Sequence, residues 1–388
     1  MFPSDSPLVT PAAPRAASPT RLEPHSVPAA LSLGEGPAHG AGGEAAGVPA
    51  PVRSGPLSAP ITVTWEVTNR CNLRCVHCLS DSSPEADTRR ELSLPEARGV
   101  IAQLVAARVF QVHFGGGEPF VYPGFLDLLR HARQSGMHCL CISTNGSLLD
   151  ERRIAALEAL GGIYLQLSLD GASEATCDAL RGVGTFRKVM AALEKLEHGR
   201  IVRTVNFVYC RQNAHELDAA RALCEHHGAT LRVTRLKPSG RGAAAYEALR
   251  PTREQLAALH GWLHAHPDVL TGDTFFHLNA LGGAPFKGFR FCGAAKLTCL
   301  ITPPGDVYPC AFTQTEAFRA GNLREQPFQE IWNHSAVFNG VFRAGQEGPC
   351  GGCSAHDRCG GGCPAVKHAL TGRLDIPDPD CVLPEIAP

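Results

Sequence analysis

The stretch Thr62-Val63-Thr64-Trp65-Glu66-Val67-Thr68-Asn69-Arg70-Cys71-Asn72-Leu73-Arg74-Cys75-Val76-His77-Cys78 carries a β-branched and aromatic run straight into three closely spaced thiols. The run at 62–67 predicts a strand, and the cysteines predict a metal loop at its end. A zinc site wants four protein ligands, and His77 lies too close in sequence to Cys75 and Cys78 to complete a tetrahedron easily. Three thiolates instead suit an iron-sulfur cube whose fourth iron stays open to an outside ligand.

A second cysteine set lies far downstream. Cys292, Cys299 and Cys310 are followed by Cys350, Cys353, Cys359 and Cys363, in the spacing CxxCx5Cx3C, and then by Cys381. Eight thiolates are enough for two closed four-iron clusters. Such spacing more often holds structural zinc, and the three-cysteine loop upstream is what favours iron. Disulfides belong to short secreted scaffolds, and this chain of 388 residues shows no basic start followed by an apolar core. Cys139, Cys141, Cys177, Cys210 and Cys224 fall outside both patterns and read as core cysteines.

At 388 residues and 44% hydrophobic, the chain can bury a large core and hold two domains. A net charge of -1 offers no basic field for nucleic acid or anionic lipid, and no apolar run is long enough for a membrane span. Residues 1–60 hold twelve of the thirty prolines and read as a disordered leader rich in Pro, Ala and Gly. The abundance of free thiols points to the reducing cytoplasm.

From residue 61 onward, strands alternate with amphipathic helices. Strands are expected at 62–67, 109–114, 138–143, 163–169, 202–209 and 230–236. Helices are expected at 95–107, 125–134, 151–160, 186–197, 216–226 and 253–265, the first opened by the capping box Ser93 to Glu96. Six right-handed βα units predict an open, partial (β/α)6 barrel over 61–270. Residues 271–388, rich in Gly, Pro and Cys, form a second domain that needs metal to fold well.

The informative residues sit at the strands' C-terminal ends. The second strand ends in Gly115-Gly116-Gly117-Glu118-Pro119, the third in Ser143-Thr144-Asn145-Gly146 and the fourth in Ser168-Leu169-Asp170-Gly171. Each alone reads equally as an ordinary turn. Together with the three-cysteine loop they resemble the radical S-adenosylmethionine (radical SAM) superfamily over 61–242. The resemblance implies that SAM binds the open iron and is cleaved to a 5'-deoxyadenosyl radical. It implies that Cys71, Cys75 and Cys78 hold the cluster, and that Gly116, Gly117 and Glu118 bind the methionyl amine. Ser168 and Asp170 then lie near the nucleoside, Arg181 meets the methionyl carboxylate, and His77 stands where relatives place an aromatic residue against adenine.

The downstream cysteines, with Gly305 five residues before Cys310, resemble the SPASM extension of that superfamily. By analogy Cys292, Cys299, Cys310 and Cys363 hold one auxiliary cluster, and Cys350, Cys353, Cys359 and Cys381 the other, giving three [4Fe-4S] clusters in all. The segments at 63–66, 235–242, 270–278 and 299–301 are similar to the mycofactocin maturases. That likeness implies oxidative decarboxylation of the C-terminal tyrosine of a small ribosomal precursor peptide, then a carbon-carbon bond to the preceding valine. It also implies a separate peptide-binding chaperone and an external reductant such as a ferredoxin or flavodoxin. A haem-pathway enzyme acting on tetrapyrrole side chains shares the whole architecture. Maturases of the sulfatase type carry an acid directly after the cysteine that is Cys310 here, where this chain has Ala311. Asp273, His277 and Arg241 are polar residues near the domain junction and read as structural.

Overall fold

The computed structural model describes residues 57–271, 275–283, 286–287, 292–341 and 349–383. The expected leader lies outside the described residues except for its last four positions, which are anchored: Trp332 Nε1 donates to the Leu57 carbonyl at 2.9 Å. Asp273 also lies outside them.

Six parallel strands form as the alternation predicts: β1 (Thr62–Thr68), β2 (Gln111–Gly116), β3 (Cys139–Thr144), β4 (Ile163–Ser168), β5 (Val202–Tyr209) and β6 (Thr230–Arg235). Each lies beside its sequence neighbour, giving the order β6-β5-β4-β3-β2-β1 of a sheet wound in one direction. The connecting helices are α1 (Leu94–Ala106), α2 (Phe125–Gln134), α3 (Glu151–Leu160), α4 (Glu174–Arg181), α5 (Thr185–Leu196), α6 (Leu217–His226), α7 (Arg241–Leu249) and α8 (Arg253–Ala265). At the start of α1 the Ser93 amide donates to Glu96 at 2.8 Å, as its capping box requires. The sequence reading missed α4 and α7. Both are short and carry site residues at their ends, so local polarity obscured the helical period.

Along β1 and β2, alternate side chains divide between two chemically different faces. Val63 and Trp65 pair with Val112 and Phe114, and all four are essentially inaccessible. Trp65 lies 5.7 Å from Phe114, which meets Phe125 of α2 edge-on at 5.6 Å, so this is the helix-covered face. The opposite face is polar: His113 Nε2 is 2.7 Å from Ser143 Oγ, Gln166 donates to the same oxygen at 2.8 Å, and Arg232 donates to Gln166 at 2.7 Å. A sheet covered by helices on both sides would be apolar on both. The polar face is the concave lining of an open barrel.

The sheet continues past the expected boundary at 270. A further strand, β7 (Thr298–Ile301), pairs in parallel with the free edge of β1, and β8 (Asp306–Tyr308) and β9 (Gly321–Asn322) follow antiparallel. An unpaired β1 would expose a row of backbone donors and acceptors, and β7 satisfies them. Short helices complete the chain: α9 (Phe328–His334), α10 (His356–Cys359) and α11 (Pro364–Thr371). The C-terminal tail is tied to β6 by Arg235, which donates to Asp378 at 2.8 and 2.6 Å and to Asp380 at 2.6 and 3.2 Å. No helix among the described residues is long and apolar enough to cross a membrane.

Candidate active site

The loop after β1 is closed by its own backbone. The Cys71 amide donates to the Ser83 carbonyl at 3.0 Å, and the Ser83 amide to Asn69 at 3.3 Å. Arg241, at the start of α7, donates to the Cys75 carbonyl at 2.9 Å and the Ser82 carbonyl at 2.9 Å, and pairs with Asp81 at 2.7 Å. The Gly242 amide donates to Cys78 and the Val76 amide to Leu180. The cysteines are thus fixed from α4 and α7 before any metal is considered.

Their sulfurs suit a cluster better than a single ion. A zinc ion holds sulfur at ~2.3 Å, so three ligands of one ion must crowd together. Among the described residues, only Glu197, His226 and His227 bring three ligand atoms within 4.8 Å of one another, and no cysteine is among them. A four-iron cube spreads its cysteines over a wider span. Burial pushes the Cys71 thiol up to about 12 and raises Cys75 too, although Arg181 opposes the second shift. Cationic iron is what converts such thiols to thiolates. The donor set therefore fits an iron-sulfur cluster.

The second strand's glycines are required by close approach. A Cβ on Gly117 would sit 2.1 Å from the Arg70 carbonyl oxygen, and one on Gly116, at φ +102°, 2.6 Å from that of Thr68. The Gly117 amide donates to Thr68 at 2.7 Å and the Glu118 amide to Arg70 at 3.0 Å, which pins this turn to the cysteine loop. Glu118 is fully buried. Its carboxylate accepts from Thr144 Oγ1 at 2.8 and 2.9 Å, from the Asn145 amide at 2.8 Å and from the Phe120 amide at 3.2 Å. Burial nevertheless pushes Glu118 up to about 7. Asn145, which sequence reading placed only in a turn, directs its amide nitrogen toward Cys71 Sγ at 3.8 Å.

Asp170, Arg181 and His77 meet in one buried group. Asp170 Oδ2 lies 2.6 Å from Arg181 Nε and 2.7 Å from His77 Nε2, and Oδ1 accepts from the Val208 amide at 2.7 Å. The two ion-pair contacts are close but not aligned as hydrogen bonds. Burial alone would raise Asp170; Arg181 and then His77 outweigh it and hold the carboxyl at about 2. Arg181 Nη1 also lies 3.9 Å from Cys75 Sγ. His77 Nδ1 is buried with no hydrogen-bond partner among the described residues. Ser168 ends β4 on the concave face, beside Asn206 of β5.

Glu66 was not read as a site residue in the sequence. It lies on the concave face at the end of β1, 2% exposed, and accepts from Gln314 at 3.2 Å on both oxygens. Burial pushes it up to about 7, with Gln314 opposing. The signal available in the sequence was its phase: Thr64, Glu66 and Thr68 share one side of a strand whose other side is Val63, Trp65 and Val67. Cys139 and Cys141 fall on this same half-exposed face and are not core residues, unlike buried Cys177, Cys210 and Cys224.

Of the downstream cysteines, Cys350, Cys353, Cys359 and Cys381 line one pocket, together with His277, His356 and Asp378. His277 is 2% exposed, and neither ring nitrogen has a hydrogen-bond partner among the described residues. Cys363 donates its amide to Asp378 at 2.8 Å and shares a buried apolar cluster with Cys310. Cys292 and Cys310 are half-buried, whereas Cys299, on β7, is fully enclosed.

The Radical SAM superfamily profile matches residues 65–223, and the SPASM profile, an iron-sulfur cluster-binding domain, matches 292–359. Mycofactocin maturase MftC of Mycolicibacterium smegmatis is 44% identical over 330 residues, which cover 84% of this chain and 83% of that one. The AdoMet-dependent heme synthase of Methanosarcina barkeri is 30% identical over 348 residues, covering 84% and 97%. Among solved structures, Streptococcus suis SuiB bound to S-adenosylmethionine superposes with a TM-score of 0.68 at 19% identity, covering 84% of this chain and 78% of that one. The anSMEcpe enzyme with bound AdoMet gives 0.64 at 17% identity, covering 83% and 91%. SuiB and anSMEcpe share the fold. The chain belongs to the radical SAM superfamily, in the branch that carries a SPASM iron-sulfur domain, and is an enzyme that uses S-adenosylmethionine.

Proposed function

We propose that this enzyme is a peptide maturase that removes carbon dioxide and two hydrogens from the C-terminal tyrosine of a small ribosomal precursor peptide, then joins that residue to the preceding valine. The observation that carries the reading is the 44% identity to a mycofactocin maturase across 84% of the chain, against 30% for the heme synthase. When bound, a four-iron cluster and SAM supply one-electron cleavage to a 5'-deoxyadenosyl radical.

Within this reading residues 61–270 form the radical core and 271–388 the auxiliary-cluster domain. Cys71, Cys75 and Cys78 hold the first cluster. The carbonyls of Gly116 and Gly117 face the methionyl amine. Glu118 contributes its charge while its oxygens organise the Thr144–Asn145 turn. Arg181, already balanced by Asp170, offers its remaining guanidinium edge to the methionyl carboxylate. Ser168 and Asp170 border the nucleoside, and His77 supplies a ring for adenine with one nitrogen still unpartnered. The polar concave face from Glu66 to Arg232 receives the peptide and excludes bulk water. The downstream cysteines would hold two auxiliary clusters, which would supply an acceptor for the electron that decarboxylation releases. An external reductant such as a ferredoxin or flavodoxin, and a separate chaperone that presents the peptide, complete the system in the cytoplasm.

The test is anaerobic turnover of the reconstituted protein with reductant, SAM, a precursor peptide ending in Val-Tyr and its presenting partner, followed by mass spectrometry. Deoxyadenosine with a peptide lighter by carbon dioxide and two hydrogens is the expected result. Deoxyadenosine with an unchanged peptide, and a modified tetrapyrrole in a parallel incubation, would establish haem-pathway chemistry in its place.

A further inference from the structure

The two expected auxiliary quartets do not fit equally well. Cys350, Cys353, Cys359 and Cys381 line a single pocket. In the other quartet, Cys299 is enclosed within the core cluster at whose margin Cys292 and Cys310 lie half-buried. It occupies β7 opposite Val63 of β1, with Ile301 opposite Trp65 two residues on. Side chains two apart on a strand share a face, so Cys299 projects with Val63 and Trp65 toward the helix layer. That side is dry: Trp65 packs on Phe114, Phe114 on Phe125 of α2, and Cys299 itself is 0% exposed within the same apolar cluster.

Cys310 belongs to the other side. Tyr308 ends β8 paired with Leu300, the neighbour of Cys299 that points away from the helices, and Cys310 lies in the loop just beyond it. The chain just beyond it delivers Gln314 to Glu66 on the concave face. Cys363 joins Cys310 there, in a buried group with Phe312 and Leu370. A fully enclosed cysteine with no such neighbour behaves as a small apolar side chain.

We infer that Cys292, Cys310 and Cys363 are the cysteine ligands of one auxiliary cluster and that Cys299 is a packing residue of the sheet core. The inference rests on the two-cluster reading of the SPASM domain given above. Its consequence is an auxiliary cluster with one iron free of cysteine, open to a ligand from outside the chain, as in the first cluster.

The experiment uses the full chain with Cys71, Cys75 and Cys78 replaced by alanine, reconstituted so that only auxiliary clusters remain. Two results are expected. Cys299→Val in this background retains about eight iron per chain, two cubes, and an unchanged reduced EPR spectrum, whereas Cys310→Ala loses about four. Brief ferricyanide oxidation of the parent removes the labile iron of one cube and produces a three-iron EPR signal, and cyanide added before oxidation shifts the reduced spectrum of that cube alone. Loss of about four iron from a folded Cys299→Val protein would overturn the assignment. So would absence of the three-iron signal in the parent, a measurement that stands even if Cys299→Val does not fold. A parent holding no iron would instead overturn the two-cluster reading and this inference with it.

Discussion

The loop carrying Cys71, Cys75 and Cys78 is tied by backbone bonds to its own far end, to the β2 turn, to α4 and to α7, so its shape is set by the polypeptide. Of the cysteines from 350 to 381, Cys359 ends the four-residue α10, Cys363 precedes the eight-residue α11 and the others lie in turns and loop, a segment tied to the barrel by Arg235 together with Tyr246 and Arg250. Helices this short do not persist on their own. The difference teaches that the first cluster binds a preorganised cradle, whereas the auxiliary region draws its order from metal and from Arg235.

Metal removal separates the two regions most strongly. Iron chelation should leave the barrel folded, with far-UV dichroism largely retained, while limited proteolysis cuts first within 349–383. Cys75→Ala should abolish deoxyadenosine formation yet leave the melting temperature within a few degrees of the parent. If chelated protein were cleaved first at 69–83, the contrast between the regions would be lost.

Arg235 is the next largest test. It is buried with Asp378 and Asp380, and Tyr246 donates to Asp380 at 2.9 Å. Burial by itself would raise Asp378, but the guanidinium prevails and holds it well below the usual carboxylate range. Arg235→Met leaves Asp378 without its buried cation while Asp380 keeps only Arg250, at 3.1 Å on its outer oxygen, a loss of about 3–5 kcal/mol. Chemical denaturation should show that loss at pH 7 and a partial recovery near pH 4, where one carboxylate takes up a proton. Iron should leave the Cys350 to Cys381 site before the Cys71 to Cys78 site.

The contact between the two regions has its own pH signature. Glu66 of β1 accepts from Gln314, and burial lifts its pKa from 4.5 to about 7. The folded form then holds a proton that the unfolded chain has released. The stabilisation is therefore complete below pH 4.5 and lost as pH rises through 7, by up to about 3 kcal/mol. Glu118 carries the same sign and adds to the slope. Glu66→Gln should remove roughly half of the fall in stability between pH 5 and 8 and should be the more stable protein at pH 8. Equal slopes in both proteins would place the proton elsewhere.

Much of this was legible in the sequence. The six strands and six principal helices follow from apolar periodicity, and Cys71, Gly117, Glu118, Asp170 and Arg181 converge because strand ends converge in this fold. Polar alternation within parallel strands, as in Thr64, Glu66 and Thr68, carried the further information that one face of the sheet is not core. What spacing could not express was direction. Cys299 and Cys310 lie eleven residues apart in the sequence, but strand parity turns Cys299 toward the helix layer, whereas Cys310 follows the end of β8 and packs with Cys363. The edge pairing of β7 with β1 was equally hidden, since a four-residue strand has too little pattern to recognise.

The smallest effect tests how many ties the first cysteine loop can lose. Ser239 donates its hydroxyl to the Leu79 carbonyl at 2.9 Å, one bond among several from the segment that also places Gly240 and Arg241. That hydroxyl is partly exposed, so its loss should cost about 1 kcal/mol. A cradle set by many such bonds absorbs one deletion. Ser239→Ala should keep full cluster content and bind SAM within a factor of about five of the parent, since ~1 kcal/mol is the most it can transmit. A loop ordered mainly by its iron would respond to the same substitution by losing cluster on dilution. The iron content of Ser239→Ala after gel filtration therefore decides whether protein or metal shapes the radical site.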